Sequence, residues 1–330
     1  MEIQGNLTRR MFNEYIAANI KNYLPEHLQD AEFVVTETVK NNGVVQSGIQ
    51  CHRPGDRIDS IVYTDVHFGW TQQGVPLADV MENIAETVKG SFQKDISMSM
   101  DIIRDYEVAK KYLSVRVVKT AANYRKLAEL PHRTVEDLAM YYVVKLPQQI
   151  EGEGASFCVN NRLLKLWNVT EEQLYGDAIK NERECKSARL VNMVTMLKEL
   201  DGIRSQENLM DGEPLTEDYF EKNLNLFVLT NQERINGAAM MMVPDVMDKV
   251  SELIPQGFYI LPSSIHEVLI MPKDGNAISK ELGDLVRDIN RSHVSRDEVL
   301  SDRAYEYDRE KGRIVTVPGS VKTREQEMAR

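Results

Sequence analysis

Ser263, Ser264, His266 and Glu267 stand within five consecutive positions of Leu-Pro-Ser-Ser-Ile-His-Glu-Val and supply the residue types of a nucleophile, a base and a carboxylate. Acyl-transfer chemistry needs those groups in mutual hydrogen-bond reach, with the carboxylate orienting the base. Adjacency in sequence does not provide that geometry. On an extended strand His266 and Glu267 point to opposite faces. The glycines that flank a nucleophile-elbow serine are missing. Pro262 and the two serines equally suit a turn whose hydroxyls bond the local backbone, and that structural role is the favoured expectation. The rival expectation is a hydrolytic or small-molecule site with His266 as acid–base and Ser263 or Ser264 as nucleophile.

The densest set of metal-ligand types is Cys51, His52, Asp56, Asp59, Asp65 and His67. A zinc or iron site needs three or four such groups within about 2 Å of one point, and their spacing matches no metal motif. On a helix Asp65 and His67 would lie about 200° apart around the axis and could not chelate together. Cys158 lies in the apolar run Ser156–Val159, where a free cysteine is expected to act as a small core hydrophobe. Gly152-Glu153-Gly154 would offer a phosphate two carboxylates, Asp274-Gly275-Asn276 reads as a turn, and Lys311-Gly312-Arg313 fits a two-strand connection. None matches a nucleotide-binding fingerprint. No metal and no cofactor is expected.

The elements that must carry these residues follow from hydrophobic period and punctuation. A helix over 8–23 is stopped by Pro25, and strands over 32–39 and 44–50 flank Asn41-Asn42-Gly43, which suits a tight hairpin turn. Thr64 starts a short helix that ends at Gly74, and Pro76 opens another through about residue 92. Strands are expected over 112–119, 138–146 and 155–159, with a short helix over 121–130 and a turn at 134–137. Thr170-Glu171-Glu172-Gln173 has capping-box spacing and opens a helix to about Cys185. A further helix is expected to reach Leu200. Beyond it come strands over 224–230, 238–243, 258–261 and 267–271, helices over 244–254 and 278–290, and paired strands at 305–307 and 314–317. Met240, Met241 and Met242 are expected to fill core gaps. Ser295-Arg296-Asp297-Glu298 reads as a second capping box. Strands sit beside one another in pairs, which predicts an α+β fold with antiparallel or mixed sheets, possibly in two subdomains.

The chain has 330 residues and a formal charge of −11, with 42% hydrophobic and 28% charged residues. Those fractions exclude wholesale disorder, and no apolar run approaches the roughly 18 residues of a membrane span. Three cysteines, far apart, make no disulfide framework and point to a reducing cytoplasm. The acidity is local. Residues 199–222 hold eight carboxylates against Arg204 and Lys222. With Gly202, Gly212 and Pro214, that segment is the expected seam, a linker or loop between regions 1–198 and 223–330. Residues 291–313 balance six basic against six acidic side chains and read as a solvated face, so a nucleic-acid partner through Arg287, Arg291, Arg296, Arg303, Arg309 and Arg313 is not expected.

Several segments together resemble a family of bacterial proteins of unknown function known from clostridial genomes and their mobile elements. They are Leu229-Thr230-Asn231, Gly237-Ala238-Ala239, the stretch Tyr259–Val268, Val299-Leu300-Ser301-Asp302 and Tyr305-Glu306-Tyr307-Asp308-Arg309. Upstream, Ala122-Asn123-Tyr124, Leu130-Pro131-His132, Asp137-Leu138-Ala139 and Leu166–Tyr175 fit the same pattern, except that Asn168 stands where it has glycine. The middle of the chain is similar, more distantly, to the YtpQ-like proteins. The resemblance implies a cytoplasmic bacterial α+β protein and carries no catalytic residue onto any position. The expected role is a non-catalytic interaction, accessory or regulatory factor with a protein partner.

Overall fold

The structure, a computed structural model, describes residues 7–55, 59–93, 100–146, 156–184, 187–262, 264–273 and 279–319. Its packing divides the chain into two compact units, one within residues 1–97 and one formed mostly by residues 98–330.

In the first unit α1 (Arg9–Asn19) starts at Thr8, whose hydroxyl accepts the Met11 N–H at 3.2 Å. An antiparallel sheet follows in the order β1 (Glu32–Val39), β2 (Val45–His52), β3 (Ser60–Tyr63). Asn42 and Gly43 take φ of 58° and 70° in the first hairpin, the region that asparagine and glycine tolerate best. Two helices complete the unit, α2 (Asp65–Gln72) and α3 (Leu77–Gln93). Thr64 precedes α2 as expected, but its hydroxyl donates to Asn13 at 2.6 Å instead of capping the helix. Phe12, Ile16 and Ile20 pack with Val80, Met81, Ile84 and Val88 over Ile49, Cys51 and Val62.

The second unit begins with α4 (Met100–Arg104) and α5 (Tyr106–Ala109). In its first sheet β6 (Leu138–Lys145) is central, with β4 (Leu113–Lys119) on one side and β5 (His132–Val135) and β7 (Ser156–Cys158) sharing the other. Between them lie α6 (Tyr124–Leu127) and, after β7, α7 (Asn161–Trp167). Asn168 ends α7 in the left-handed conformation, φ 54°, so it does the work expected of a glycine there. The next helix, α8 (Glu171–Glu184), opens with the predicted box: Gln173 N–H reaches the Thr170 hydroxyl, and Thr170 N–H the Gln173 side chain.

A six-stranded sheet follows, in the order β13 (Arg313–Thr316), β12 (Tyr305–Asp308), β10 (Phe258–Leu261), β11 (Val268–Pro272), β9 (Phe227–Asn231), β8 (Ala188–Asn192). Every described strand pair is antiparallel, which settles the α+β class. The associated helices are α9 (Met193–Leu200), α10 (Glu217–Lys222), α11 (Pro244–Leu253) and α12 (Ser279–His293). One core joins Val115, Val117, Met140 and Tyr142 of the first sheet to Leu190, Leu229, Ile260 and Ile270 of the second. On another apolar cluster Leu282 and Val286 of α12 meet Leu261, Ala304 and Val317.

Four local expectations are corrected. Residues 188–192, expected as helix, form β8, because they pair with β9 in register Ala188 to Asn231. Residues 238–243, expected as strand, lie in a 3-10 helix, Gly237–Met242, with Met240 and Met241 buried as expected. The turn expected over 134–137 is narrower: His132–Val135 is strand, and Glu136 with φ 56° makes the bend. Ser295 opens no helix, and its carbonyl accepts the N–H groups of Glu298 and Val299 in a turn.

The acidic stretch 199–222 lies inside the second unit. Asn208 accepts the Leu190 N–H at 3.0 Å and donates to the Ala188 carbonyl at 3.2 Å, so its amide substitutes for a neighbouring strand along β8. Occupying those two edge groups makes β8 a poorer template for pairing with another chain. Leu209, Met210, Leu215, Tyr219 and Phe220 pack against the large core.

Candidate functional site

Three of the segments that carry the family resemblance, at 229–231, 237–239 and 259–268, meet at one end of β9 and β11. The Thr230 hydroxyl donates to the His266 carbonyl at 2.8 Å, and Ala238 N–H donates to the Ile265 carbonyl at 3.2 Å. Gly237 makes this approach possible, since a Cβ there would lie 2.5 Å from Asn231 N and 2.7 Å from His266 O. The intervening loop is held by Asn231, whose side chain donates to the Ile235 carbonyl and accepts the Ile235 N–H. Arg234 and Asn236 take positive φ of 56° and 55° to make the turns.

Within that junction His266 Nδ1 accepts the Asn236 N–H at 3.3 Å, and Nε2 faces Glu298 Oε1 at 3.4 Å. In the neutral ring, accepting at Nδ1 puts the proton on Nε2, toward the carboxylate. Ser264 is buried, bridges Val299, and accepts the His266 main-chain N–H at 3.0 Å through its hydroxyl oxygen. Both ring nitrogens thus have partners other than a serine, and a base so engaged cannot take a serine proton without first releasing one of them. Glu267 does not join the ring. Burial pushes its carboxyl up, the His266 charge opposes that, and Glu298 adds to it. Ser263 lies outside the described residues. The arrangement fixes three chain segments to one another, and among the described residues no serine hydroxyl bonds the His266 ring.

The candidate metal ligands separate. His52 Nδ1 contacts Asp59 at 2.7 Å, and Asp59 also accepts from Gln50. Cys51 is buried, which pushes its thiol up to about 12 and makes it a poor ligand and nucleophile. Asp65 faces Arg9 and the Ser47 N–H, while His67 bonds Asn83. Asp56 lies outside the described residues, among which no three such groups converge. Of the arginines weighed for nucleic acid, Arg287 pairs with Asp284 and Arg303 stands 3.6 Å from Asp137. The glycine stretches at 152–154 and 274–276 lie outside the described residues. Gly312 has φ 59° between β12 and β13, as a strand connection requires.

Sequence reasoning missed the surface at α9. Asn192 caps the helix, accepting the Val194 N–H at 2.9 Å, and its amide donates to the Leu224 carbonyl at 2.7 Å. At the far end Gly202, φ 88°, closes a Schellman motif: Ile203 N–H reaches Lys198 O and Gly202 N–H reaches Glu199 O. Met193 and Met196 pack inward on Val191 and Val228, yet the outer side of the helix is apolar as well. Val194, Leu197 and Leu200 recur every third residue on the exposed side, joined by Ile203 and Leu224, with Leu200 at 70% exposure. Glu199 points inward at 4% side-chain exposure, where Arg189 binds both its oxygens at 2.6 and 3.0 Å and Arg234 adds a third contact. Those hydrogen bonds, Arg189 first, hold the Glu199 carboxyl below the usual carboxylate range. Exposed acidic groups surround the apolar row in sequence, at Asp201, Asp211, Glu213, Glu217, Asp218 and Glu221.

No described helix is long and apolar enough to cross a membrane. No curated protein and no solved structure matches the chain. A family model spans residues 9–309, nearly the whole sequence, and on that match the chain belongs to a family of unknown function, DUF5688.

Proposed function

We propose that this chain is a non-catalytic interaction protein, an accessory or regulatory factor of the bacterial cytoplasm, and that α9 carries its protein-binding face. The observation behind this reading is the outer side of α9: its valine and leucines face solvent while its glutamate is buried. Apolar side chains grouped on one face of a short helix are a mark of an interaction surface, whereas single exposed ones are ordinary. The charge around the row specifies the partner's chemistry. Six exposed carboxylates, Asp201, Asp211, Glu213, Glu217, Asp218 and Glu221, stand in this stretch against Arg204 and Lys222, so the complementary surface is an amphipathic segment with a basic border. Cys51 and Cys158 are both free, which agrees with a reducing compartment.

The test is a photo-crosslinking residue introduced at Lys198, on the exposed side of α9, in the native host. Crosslinking to a basic amphipathic segment of one protein, lost in L197D/L200D, is the expected result. Crosslinks only to a second copy of the chain, or a crosslinked set unchanged by L197D/L200D, would overturn the reading.

A further inference from the structure

A pocket of about 300 Å³ opens in the second unit, with Glu182 and the two hydroxyl residues Ser114 and Ser187 among its lining and Lys111, Lys145 and Glu233 at other points of its wall. Glu182 comes from α8 and is 6% exposed. Its two carboxylate oxygens accept the Ser114 hydroxyl at 2.5 Å and the Ser187 hydroxyl at 2.9 Å. Among the described residues no basic side chain pairs with it. A buried carboxylate held only by neutral hydroxyls lacks the counter-charge that normally offsets its desolvation.

The direction of those hydrogen bonds defines what this part of the pocket can receive. Each serine spends its single proton on Glu182, so Ser114 and Ser187 present only oxygen lone pairs to anything else. Asn181, also in the wall, directs its amide N–H groups to the carbonyls of Lys110 and Leu113, at 2.7 and 2.9 Å. Its side-chain oxygen is then a further acceptor. A group that binds here must donate several hydrogen bonds and carry positive charge, as a primary ammonium does. Beside Glu182, Ser114 and Ser187 an anion or a neutral carbonyl would meet acceptors.

Elsewhere the wall has the opposite character. Lys111 is exposed and makes no ion pair or hydrogen bond within the described residues, while Lys145 contacts Glu233 at 3.3 Å. Lys111 is therefore open to a ligand's anionic end. We propose that this pocket binds a small zwitterion of free amino-acid or dipeptide size, its ammonium group on Glu182, Ser114 and Ser187 and its carboxylate on Lys111. A volume of about 300 Å³ lies at the lower end of ordinary ligand pockets and suits a molecule of that size. The proposal is independent of the α9 face.

Calorimetric titration of the full chain tests it, using L-leucine, L-lysine, glycylglycine and γ-aminobutyrate, each beside its N-acetyl derivative. At least one free amine is expected to bind saturably and its N-acetyl form to fail. E182Q should weaken that binding by about tenfold or more, the size of one lost charge-assisted hydrogen bond. K111M changes only an exposed side chain and leaves the fold intact, so it keeps the test decisive if E182Q does not fold. It should weaken the zwitterion while leaving the matching decarboxylated amine unchanged. No binding by any of the four, equal binding of the acetylated forms, or undiminished binding by folded E182Q or by K111M would each overturn the proposal.

Discussion

Arg189 on β8 binds both oxygens of Glu199 on α9, and both side chains are buried, at 8% and 4% exposure. The pair fixes the helix to the strand before it and determines which side of α9 faces water. Truncating one partner leaves the other charged and buried, so Glu199→Ala should destabilise the second unit by about 3–5 kcal/mol. Glu199 has a depressed folded-state pKa. Its contribution is therefore present above the unfolded-state value of about 4.3 and is lost as pH falls through the folded value. Urea titrations of the wild type and Glu199→Gln should differ at neutral pH and converge in acid. A difference that persisted at the lowest pH would contradict this account.

Gly237 and Gly176 should respond in opposite ways to the same substitution. A Cβ at Gly237 would press on Thr230 Oγ1, Asn231 N and His266 O, two of them backbone atoms, one in β9 and one in the bend before β11. Gly237→Ala should cost at least the roughly 1–3 kcal/mol of an overpacked core site. Gly176 lies inside α8 with open space around it. Gly176→Ala should stabilise by about 0.5–1 kcal/mol through the helix preference of alanine. Chemical denaturation of the two variants gives the sign directly.

What could be read in the sequence was local. The hairpin at Asn42-Gly43 and the box at Thr170 and Gln173 each involve partners within a few residues, and both stand where expected. Ala-Arg-Leu-Val-Asn at 188–192 is too short to show a period of its own, and what makes it a strand is pairing with residues 227–231. Glu199 shows the same limit. Counted with its acidic neighbours it belongs to a solvated linker, yet its arginines stand at positions 189 and 234, beyond any local window. The serine–histidine–glutamate run has the same local character. The partners that engage the His266 ring, Asn236 and Glu298, come from other segments, and the local pattern around Glu298 suggests only a helix cap.

Glu267 should behave as a stability liability. Burial raises its folded-state pKa, so the native state favours the protonated form relative to the unfolded chain. A raised pKa means a contribution fully present below the unfolded value and lost as pH rises through the folded one. Glu267→Gln keeps the shape without the charge, and should raise the melting temperature near about pH 7 while changing it little near about pH 4. Thermal melts across that range would refute the expectation if the gain grew toward acid.

Asp137 and Tyr305, 168 positions apart, join the two sheets of the second unit. Asp137 sits in the turn between β5 and β6, and Tyr305 begins β12. The Tyr305 hydroxyl donates to one Asp137 oxygen, and the Ser301 hydroxyl donates to the other at 2.9 Å. Tyr305 and Ser301 are both fully buried, so neither can exchange its bond for one to water. Burial first, and then the Asp137 charge, raise the Tyr305 hydroxyl, which keeps it a neutral donor throughout the physiological range. Tyr305→Phe removes one charge-assisted hydrogen bond and should cost about 1.5–3 kcal/mol. Asp137→Asn weakens both bonds at once, so Tyr305→Phe should cost less in that background. The double-mutant cycle should give a coupling within about 0.5–3 kcal/mol, the range for residues sharing one network. An additive result would show that Tyr305 acts through its ring packing alone, and that the two sheets are held together by the apolar core without this polar tie.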